Sequence, residues 1–272
     1  MKLLPSFEVR LAENVADLYV VQRLRYEVFV RELGANGGGI DHCLGIERDD
    51  YDPHCLHLML LDKTRGDVLE DQLVGVYRIL TMRGAQAAGG FYSASEFNLS
   101  PLLDSKRQLI ELGRSCLRKS YRGGEAMFHL WQAMAELVVQ EGAEILFGTA
   151  SFMGTDIVAL SQPLSLLHQK YLVDLPIRPK AVADSYVPLS QLPESKVDRI
   201  KALRAIPALI KAYLRLGGGV ADGAYIDHRF NTTDVCLVLD IKTMNQRQKA
   251  IYFKEPKPCL LYTSPSPRDL QG

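Results

Sequence analysis

Five short stretches in the first part of the chain carry the hydrophobic pattern of extended backbone. Phe7-Glu8-Val9-Arg10-Leu11 alternates apolar and polar side chains, as a strand with one buried face does. Residues 54–62 are mostly apolar, which predicts a strand buried on both faces. Residues 73–82, 109–117 and 145–152 predict a third, fourth and fifth strand. Helical spacing fills the gaps. Asn14 caps a predicted helix that runs to about Leu33, with Val15, Leu18, Tyr19, Gln22, Tyr26 and Phe29 along it. Residues 34–39 form a glycine-rich connector, 64–67 a turn, 85–90 a loose loop, and Ser95-Glu96-Phe97 a short helical piece. The turn Tyr121-Arg122-Gly123-Gly124 leads into a helix to about Gln140, with Met127, Leu130, Trp131, Met134 and Leu137 on one face. Asp156 starts a further helix that Pro163 either kinks or bounds.

The second part has another texture. Residues 174–193 are rich in proline and polar side chains. Residues 198–216 predict a basic amphipathic helix, with Ile200, Leu203, Ile206 and Ile210 on one side and Arg199, Lys201, Arg204, Lys211 and Arg215 around it. Gly217-Gly218-Gly219 ends it, and residues 234–241 form a late strand. Strands with helices inserted between them imply an α/β protein with a mixed sheet layered by helices. The expected division is a core over 1–172 and an extension packed on it over 173–258. Residues 259–272 begin CLLYTSPSPRD and resemble a translated sequencing adapter. They are expected to be a non-native tail and carry no argument about fold.

Composition narrows the function classes. With 32 basic and 32 acidic residues the 272-residue chain has no formal net charge, so it lacks a global electrostatic grip on nucleic acid. No apolar run reaches the roughly 18–20 residues that span a bilayer. The five cysteines are irregularly spaced without a C-x-x-C pair, as expected of reduced thiols in a cytoplasmic protein. The basic helix leaves two readings open: a peripheral rest on anionic lipid at the inner face of the membrane, or packing on the core as a cover for an acyl pocket.

Acids and arginines recur in a fixed order. Arg25-x-x-x-Phe29 comes first, then Glu47-Arg48-Asp49-Asp50-Tyr51-Asp52, Gly75-x-x-Arg78, Glu111-x-x-Arg114 and Tyr121-Arg122-Gly123-Gly124. They fall at strand and loop edges, where chemistry is usually mounted. The series resembles the recurring residues of the acyl-homoserine-lactone synthases, GNAT-fold acyltransferases that draw acyl groups from acyl carrier protein. From about Phe7 to Ile241 the chain is more similar to a sister family, the bacterial L-ornithine N-alpha-acyltransferases, often described as hemolysin-like. The segments that carry this are RLRYEVFVRELG, ERDDYDPHCLHLMLLD, VGVYRIL, YSASEFNLSPL, ELGRSCL and the late pair PALIKAYLRLGG and ADGAYIDHRFNTTDV. The late pair is absent from the shorter lactone synthases.

The resemblance implies a GNAT-like (acyl-CoA N-acyltransferase) fold, a mixed central sheet flanked by helices with a C-terminal helix-plus-strand extension. It implies transfer of a 3-hydroxy fatty acyl group to the α-amine of L-ornithine, giving lyso-ornithine lipid. The donor is the phosphopantetheine thioester of acyl carrier protein, with no bound cofactor. The competing readings are a lactone-synthase-like enzyme and a non-catalytic acyl-carrier or membrane-binding protein that keeps the fold.

Chemistry then distributes roles. The attacking amine must lose a proton, and Glu111, in the strand where the GNAT sheet splays, is the candidate base or anchor of a base water. Ornithine carries two ammonium groups and a carboxylate. Asp49 and Asp52 supply acids for the former; Arg78 and Arg114 supply forks for the latter, with Arg25 and Phe29 completing the pocket. The plainer reading is that Glu111–Arg114 and Asp52–Arg78 are structural ion pairs. Gly123 and Gly124 offer backbone N–H groups to a phosphate. The GNAT loop continues with glycine after this point, whereas Glu125 here opposes a pyrophosphate; that departure favours a carrier protein over coenzyme A. Arg118, Lys119 and Arg122 would dock the acidic carrier, or are solvated turn charges. His42, Cys43, His54, Cys55 and His57 match no standard zinc spacing, and no metal is expected.

Overall fold

The computed structural model describes residues 4–253, so the expected tail over 259–272 lies outside the described residues. Nine strands share one sheet: β1 Phe7–Leu11, β2 Leu56–Asp62, β3 Leu73–Thr81, β4 Leu109–Leu117, β5 Ile145–Met153, β6 Tyr186–Val187, β7 Gly219–Val220, β8 Ala224–Asp227 and β9 Thr232–Asp240. Their order is β1-β2-β3-β4-β5-β9-β8-β6, with β7 also on β9. All pairings are antiparallel except β4 with β5. The described helices that matter here are α1 Val15–Arg25, α2 Met82–Ala88, α3 Ala126–Gln140, α4 Ser161–Lys170, α5 Arg199–Ala205 and α6 Ala208–Leu216. β2 shows why the sheet is covered on both sides. Leu58 and Leu60 pack toward Leu130, Trp131 and Met134 of α3, while Met59 and Leu61 pack toward Val21 and Leu24 of α1.

The parallel pair is short. Leu109–Glu111 faces Ile145–Phe147, and pairing then stops although both strands continue. At that point Gly148 lies so close to β4 that a Cβ there would sit 2.1 Å from the Leu112 carbonyl oxygen. Beyond it the strands part into a wedge. The other edge of β4 carries a bulge: its register against β3 slips between Val76 and Arg78, and Arg114 takes a left-handed φ of 48°. β9 pairs along all of β5, from Ile145–Asp240 to Met153–Thr232, so the late segment completes the sheet beside the wedge.

The observed elements depart from the pattern in places with local causes. The first helix is α-helical only to Arg25; Tyr26–Glu32 widens into a π-helical turn, with Leu33 N donating to Val28 O. The expected loop over 85–90 is α2. Its alanines favour helix, the Thr81 hydroxyl accepts from Gly84 N, and Gly89 closes it at φ 83°. The helical piece near Ser95 is a 3-10 turn, Tyr92–Ser95, and Phe97 joins a two-stranded ribbon with Ala181. Asp156 caps a separate turn by accepting from Val158 N and Ala159 N. Pro163 then sits in the first turn of α4, where its missing N–H has no helical partner to lose. The basic helix breaks at Pro207 into α5 and α6. Ala202, Ile206, Ile210, Tyr213 and Leu216 are buried, and Gly217 ends α6 at φ 98°. Among the described residues no helix is long and apolar enough to cross a membrane.

Replacing Gly148 by Ala should force β4 and β5 apart at their tightest crossing. The expected cost is about 2 kcal/mol, as for overpacking of a core position, read as a lower urea midpoint with an unchanged slope.

Candidate active site

Three arginines and three acids close into a ring behind the wedge. Arg25, at the end of α1 and 0% exposed, donates from Nε to Glu47 Oε2 at 2.5 Å and from Nη1 to Asp52 Oδ1 at 2.7 Å. Arg78 of β3 donates from Nη1 to Asp52 Oδ1 at 2.9 Å and to Asp49 Oδ1 at 2.6 Å. Arg114, at the β4 bulge, donates to Asp49 Oδ2 at 2.9 Å and to Glu47 Oε1 at 3.2 Å. Each acid therefore bridges two arginines. Gln22 Nε2 donates to the outer oxygen of Asp52, and His57 donates to its carbonyl. Burial alone would raise the acids. The arginines outweigh it, lowering Glu47 and Asp49 and holding Asp52 at about 2.

In front of the ring lies a cavity of about 270 Å³, bordered by Phe29, Arg78, Tyr92, Glu111 and Arg114 on one side and by β5, β8 and β9 on the other. The Tyr92 ring lies under both Arg78 and Arg114, with centroids 5.3 and 4.8 Å from the guanidinium carbons. Glu111 accepts from the backbone N–H of Tyr92 and of Ser93, each at 2.7 Å, and from the Ser93 hydroxyl. A carboxylate offers about four acceptor positions, so roughly one is left toward the cavity. Burial raises the Glu111 pKa against the pull of these donors.

The residues expected from sequence thus separate into groups. Phe29, Arg78, Glu111 and Arg114 border the cavity. Arg25, Asp49 and Asp52 stand behind it in the ring. Asp52–Arg78 is an ion pair, while Glu111 holds the 92–93 backbone rather than Arg114. Arg118 donates to the carbonyls of Leu73 and Glu70, and Arg122 to Leu117 O and to both oxygens of Glu32. Lys119 is exposed, and Gly123, at φ 78°, and Gly124 lie open just before α3.

Sequence reasoning did not find the far wall. Glu96, Asp227 and Asp234 meet there, beside Tyr92 and Ser151. One signal was present: Asp234 interrupts the otherwise uncharged run TTDVCLVL at an inward-facing strand position.

A sheet whose parallel pair splays beside a strand bulge, with a polar cavity in the wedge, defines an N-acyltransferase-type fold. The profile of the Acetyltransferase (GNAT) domain matches residues 24–132. The structure is similar to that of an N-acyl amino acid synthase from uncultured soil microbes, with a TM-score of 0.50, 12% identity, and 88% of this chain and 93% of that one covered. The chain is 46% identical to the L-ornithine N(alpha)-acyltransferase of Rhodobacter capsulatus over 91% of its own length and 95% of the relative's. It is 37% identical to that of Agrobacterium fabrum, over 91% and 85%. The chain belongs to the L-ornithine N(alpha)-acyltransferase family of acyltransferases.

Opening the ring should be costly. Asp52→Asn leaves Arg25 and Arg78 without their shared charge and is expected to lose about 3–5 kcal/mol of stability. The pH dependence has a definite sign. The folded pKa of Asp52 is depressed, so its contribution is complete above the ordinary carboxylate range, about 4, and is lost as pH falls through about 2. Urea midpoints should drop over that window in the parent protein and much less in Asp52→Asn.

Proposed function

We propose that the chain transfers a fatty acyl group, 3-hydroxylated in the preferred substrate, from acyl carrier protein to the α-amine of L-ornithine, yielding lyso-ornithine lipid. The observation that carries this reading is the identity to curated L-ornithine N(alpha)-acyltransferases across nearly the whole of both chains. The wedge supports it physically. Past Glu111 and Phe147 the facing edges of β4 and β5 are unpaired, and an extended pantetheine arm with its own amide groups fits between such edges as an added strand would. The turn before α3 then meets the carrier's single phosphate through the backbone of Gly123 and Gly124, with the exposed Lys119 beside it. Arg118 and Arg122, held by carbonyls and acids of their own, shape that turn.

In this scheme the neutral α-amine attacks the thioester carbonyl directly. A C–N bond forms, the oxyanion is held by backbone N–H groups beside the β4 bulge, and the C–S bond then breaks to release the carrier thiol. The proton lost by nitrogen passes to Glu111, directly or through water, and on to the leaving sulfur. The apolar members of the lining, among them Tyr77, Leu80 and Leu112, take the acyl chain. The outer face of α5 and α6, with Arg199, Lys201, Arg204 and Arg215 exposed, is the surface for anionic lipid when the product leaves.

The tail-free protein with 3-hydroxyacyl carrier protein and ornithine should yield the amide by mass spectrometry. Turnover with S-adenosylmethionine in place of ornithine would sink the assignment in favour of a lactone synthase. Glu111→Gln should lower kcat about 100-fold or more with little change in KM. Ser93→Ala loosens the same loop without removing the carboxylate, so its kcat should fall far less; equal losses would reduce Glu111 to a loop anchor.

A further inference from the structure

The far wall of the cavity concentrates acids that no ion pair meets among the described residues. Register places its groups together. Asp227 of β8 faces Thr232 of β9, Thr232 and Asp234 are two residues apart on one strand, and Asp234 faces Ser151 of β5. Directly opposed and alternate residues share a sheet face, so all four side chains project to the same side. Glu96, just past the Tyr92–Ser95 turn, reaches the same point, and one carboxylate oxygen from each of Glu96, Asp227 and Asp234 lies within 4.8 Å of the other two. Glu96 is 6% exposed and Asp234 is 5% exposed, yet Glu96 Oε2 and Asp234 Oδ1 have no hydrogen-bond partner. Asp227 accepts from the backbone N–H of Arg229 and Phe230. All three acids border the cavity.

A buried carboxylate oxygen without a partner is costly, and native proteins keep such atoms where a ligand completes them. Burial, then repulsion from Asp234 and Asp227, raises Glu96; burial raises Asp234 against the hydrogen bonds of Ser151 and Thr232, and Asp227 adds to the rise. Arg114 pulls the other way on both, but it is already held by Glu47 and Asp49.

We infer that Glu96, Asp227 and Asp234 bind the side-chain ammonium of the amino-acid acceptor and so select a cationic amino acid over a neutral one. This rests on the acyl-transfer reading above. An ammonium offers three N–H donors, one for each carboxylate. A hard divalent cation asks for six or more oxygens, and the lining nearby includes apolar Met153, Leu209 and Phe230 instead. The placement also gives the acceptor a direction. Its carboxylate lies toward Arg78 and Arg114, its side-chain nitrogen toward the far wall, and its α-amine between them toward Glu111.

Two measurements test this on the full chain. In the first, ornithine is compared with norvaline, which has the same carbon skeleton without the terminal amine. The parent protein should prefer ornithine strongly. Asp234→Asn and Glu96→Gln should raise KM for ornithine about 10- to 100-fold, lower kcat less, and reduce the ornithine-to-norvaline ratio of kcat/KM by at least tenfold. An unchanged ratio overturns the inference, as does activity abolished by a chelator and restored by a divalent cation. In the second, ornithine binding is followed by calorimetry in buffers of different ionisation enthalpy. Binding should release protons from the acid cluster in the parent and fewer in Asp234→Asn. Because it needs no turnover, this readout separates the subsite from the reaction: binding with proton release but no amide product sinks the proposed reaction alone, and absence of binding sinks the subsite. Thermal melts guard against misfolding. Both variants remove mutual repulsion among buried acids and should melt no lower than the parent; melting far below it means the acids are structural and overturns the inference.

Discussion

The closed ring of Arg25, Glu47, Arg114, Asp49, Arg78 and Asp52 is the constraint on which the rest of the site depends. Its members come from the end of α1, the two-residue ribbon strand Ile46–Glu47, the loop after it, and the paired strands β3 and β4 at the bulge. A buried ion pair adds little net stability over well-packed apolar groups, because desolvation offsets most of the attraction. What it does supply is intolerance of partial arrangements. Moving any one segment leaves a buried charge uncompensated. The ring therefore fixes where β3, β4 and the loop meet, and with them the near wall of the cavity.

Arg114 couples this ring to the wedge. The extra residue in β4 lets the strand keep its pairing with β3 on both sides of the slip, from Gly75–Leu117 to Thr81–Ile110. A non-glycine residue in the left-handed region costs about 1–3 kcal/mol. Here that strain is held by the bonds of the same residue to Glu47 and Asp49 and by the Tyr92 ring beneath it. On the opposite edge, Gly148 permits the close crossing from which β4 and β5 diverge. One strand thus carries the bulge, the ring arginine and Glu111, and each depends on backbone geometry that the others stabilise.

Period and turn chemistry made the main strands legible because each buries at least one face, and that requirement is written into local sequence. The acids and arginines were legible as a set, and of their pairings only Asp52–Arg78 was read. Asp49 and Asp52 were expected to serve the substrate or, for Asp52, Arg78; in the structure both bond arginines. Nothing local separates an acid that meets a ligand from one that meets an arginine brought from tens of residues away. The same reason hid the far wall. Glu96 follows a turn more than a hundred residues before Asp227, and only the pairing of β8 with β9 and of β9 with β5 aligns Asp227, Asp234 and Ser151. The helical surprises were smaller and more local: α2 starts from a threonine cap that a strand reading absorbs, and the widened turn after Arg25 has no period of its own.

The charge arithmetic assigns different work to the two walls. Three arginines against three acids leave the ring near zero, so it offers a substrate cation no net attraction. Among the described residues, the cavity acids without an ion-pair partner are Glu111 and the cluster opposite, and these can take a cation's charge. The matched GNAT residues, 24–132, contain the whole ring, Glu111 and Glu96, but neither Asp227 nor Asp234. On the proposed reading, the transfer chemistry resides in the part of the chain that has the general acyltransferase pattern. The choice of acceptor is made by a hairpin outside it, and Glu96 is the residue through which the first reports to the second. The late segment is then more than a cover on a finished domain: without β9 and β8 the cavity would lose Asp227 and Asp234, and Glu96 alone would be left to tell a charged side chain from any other.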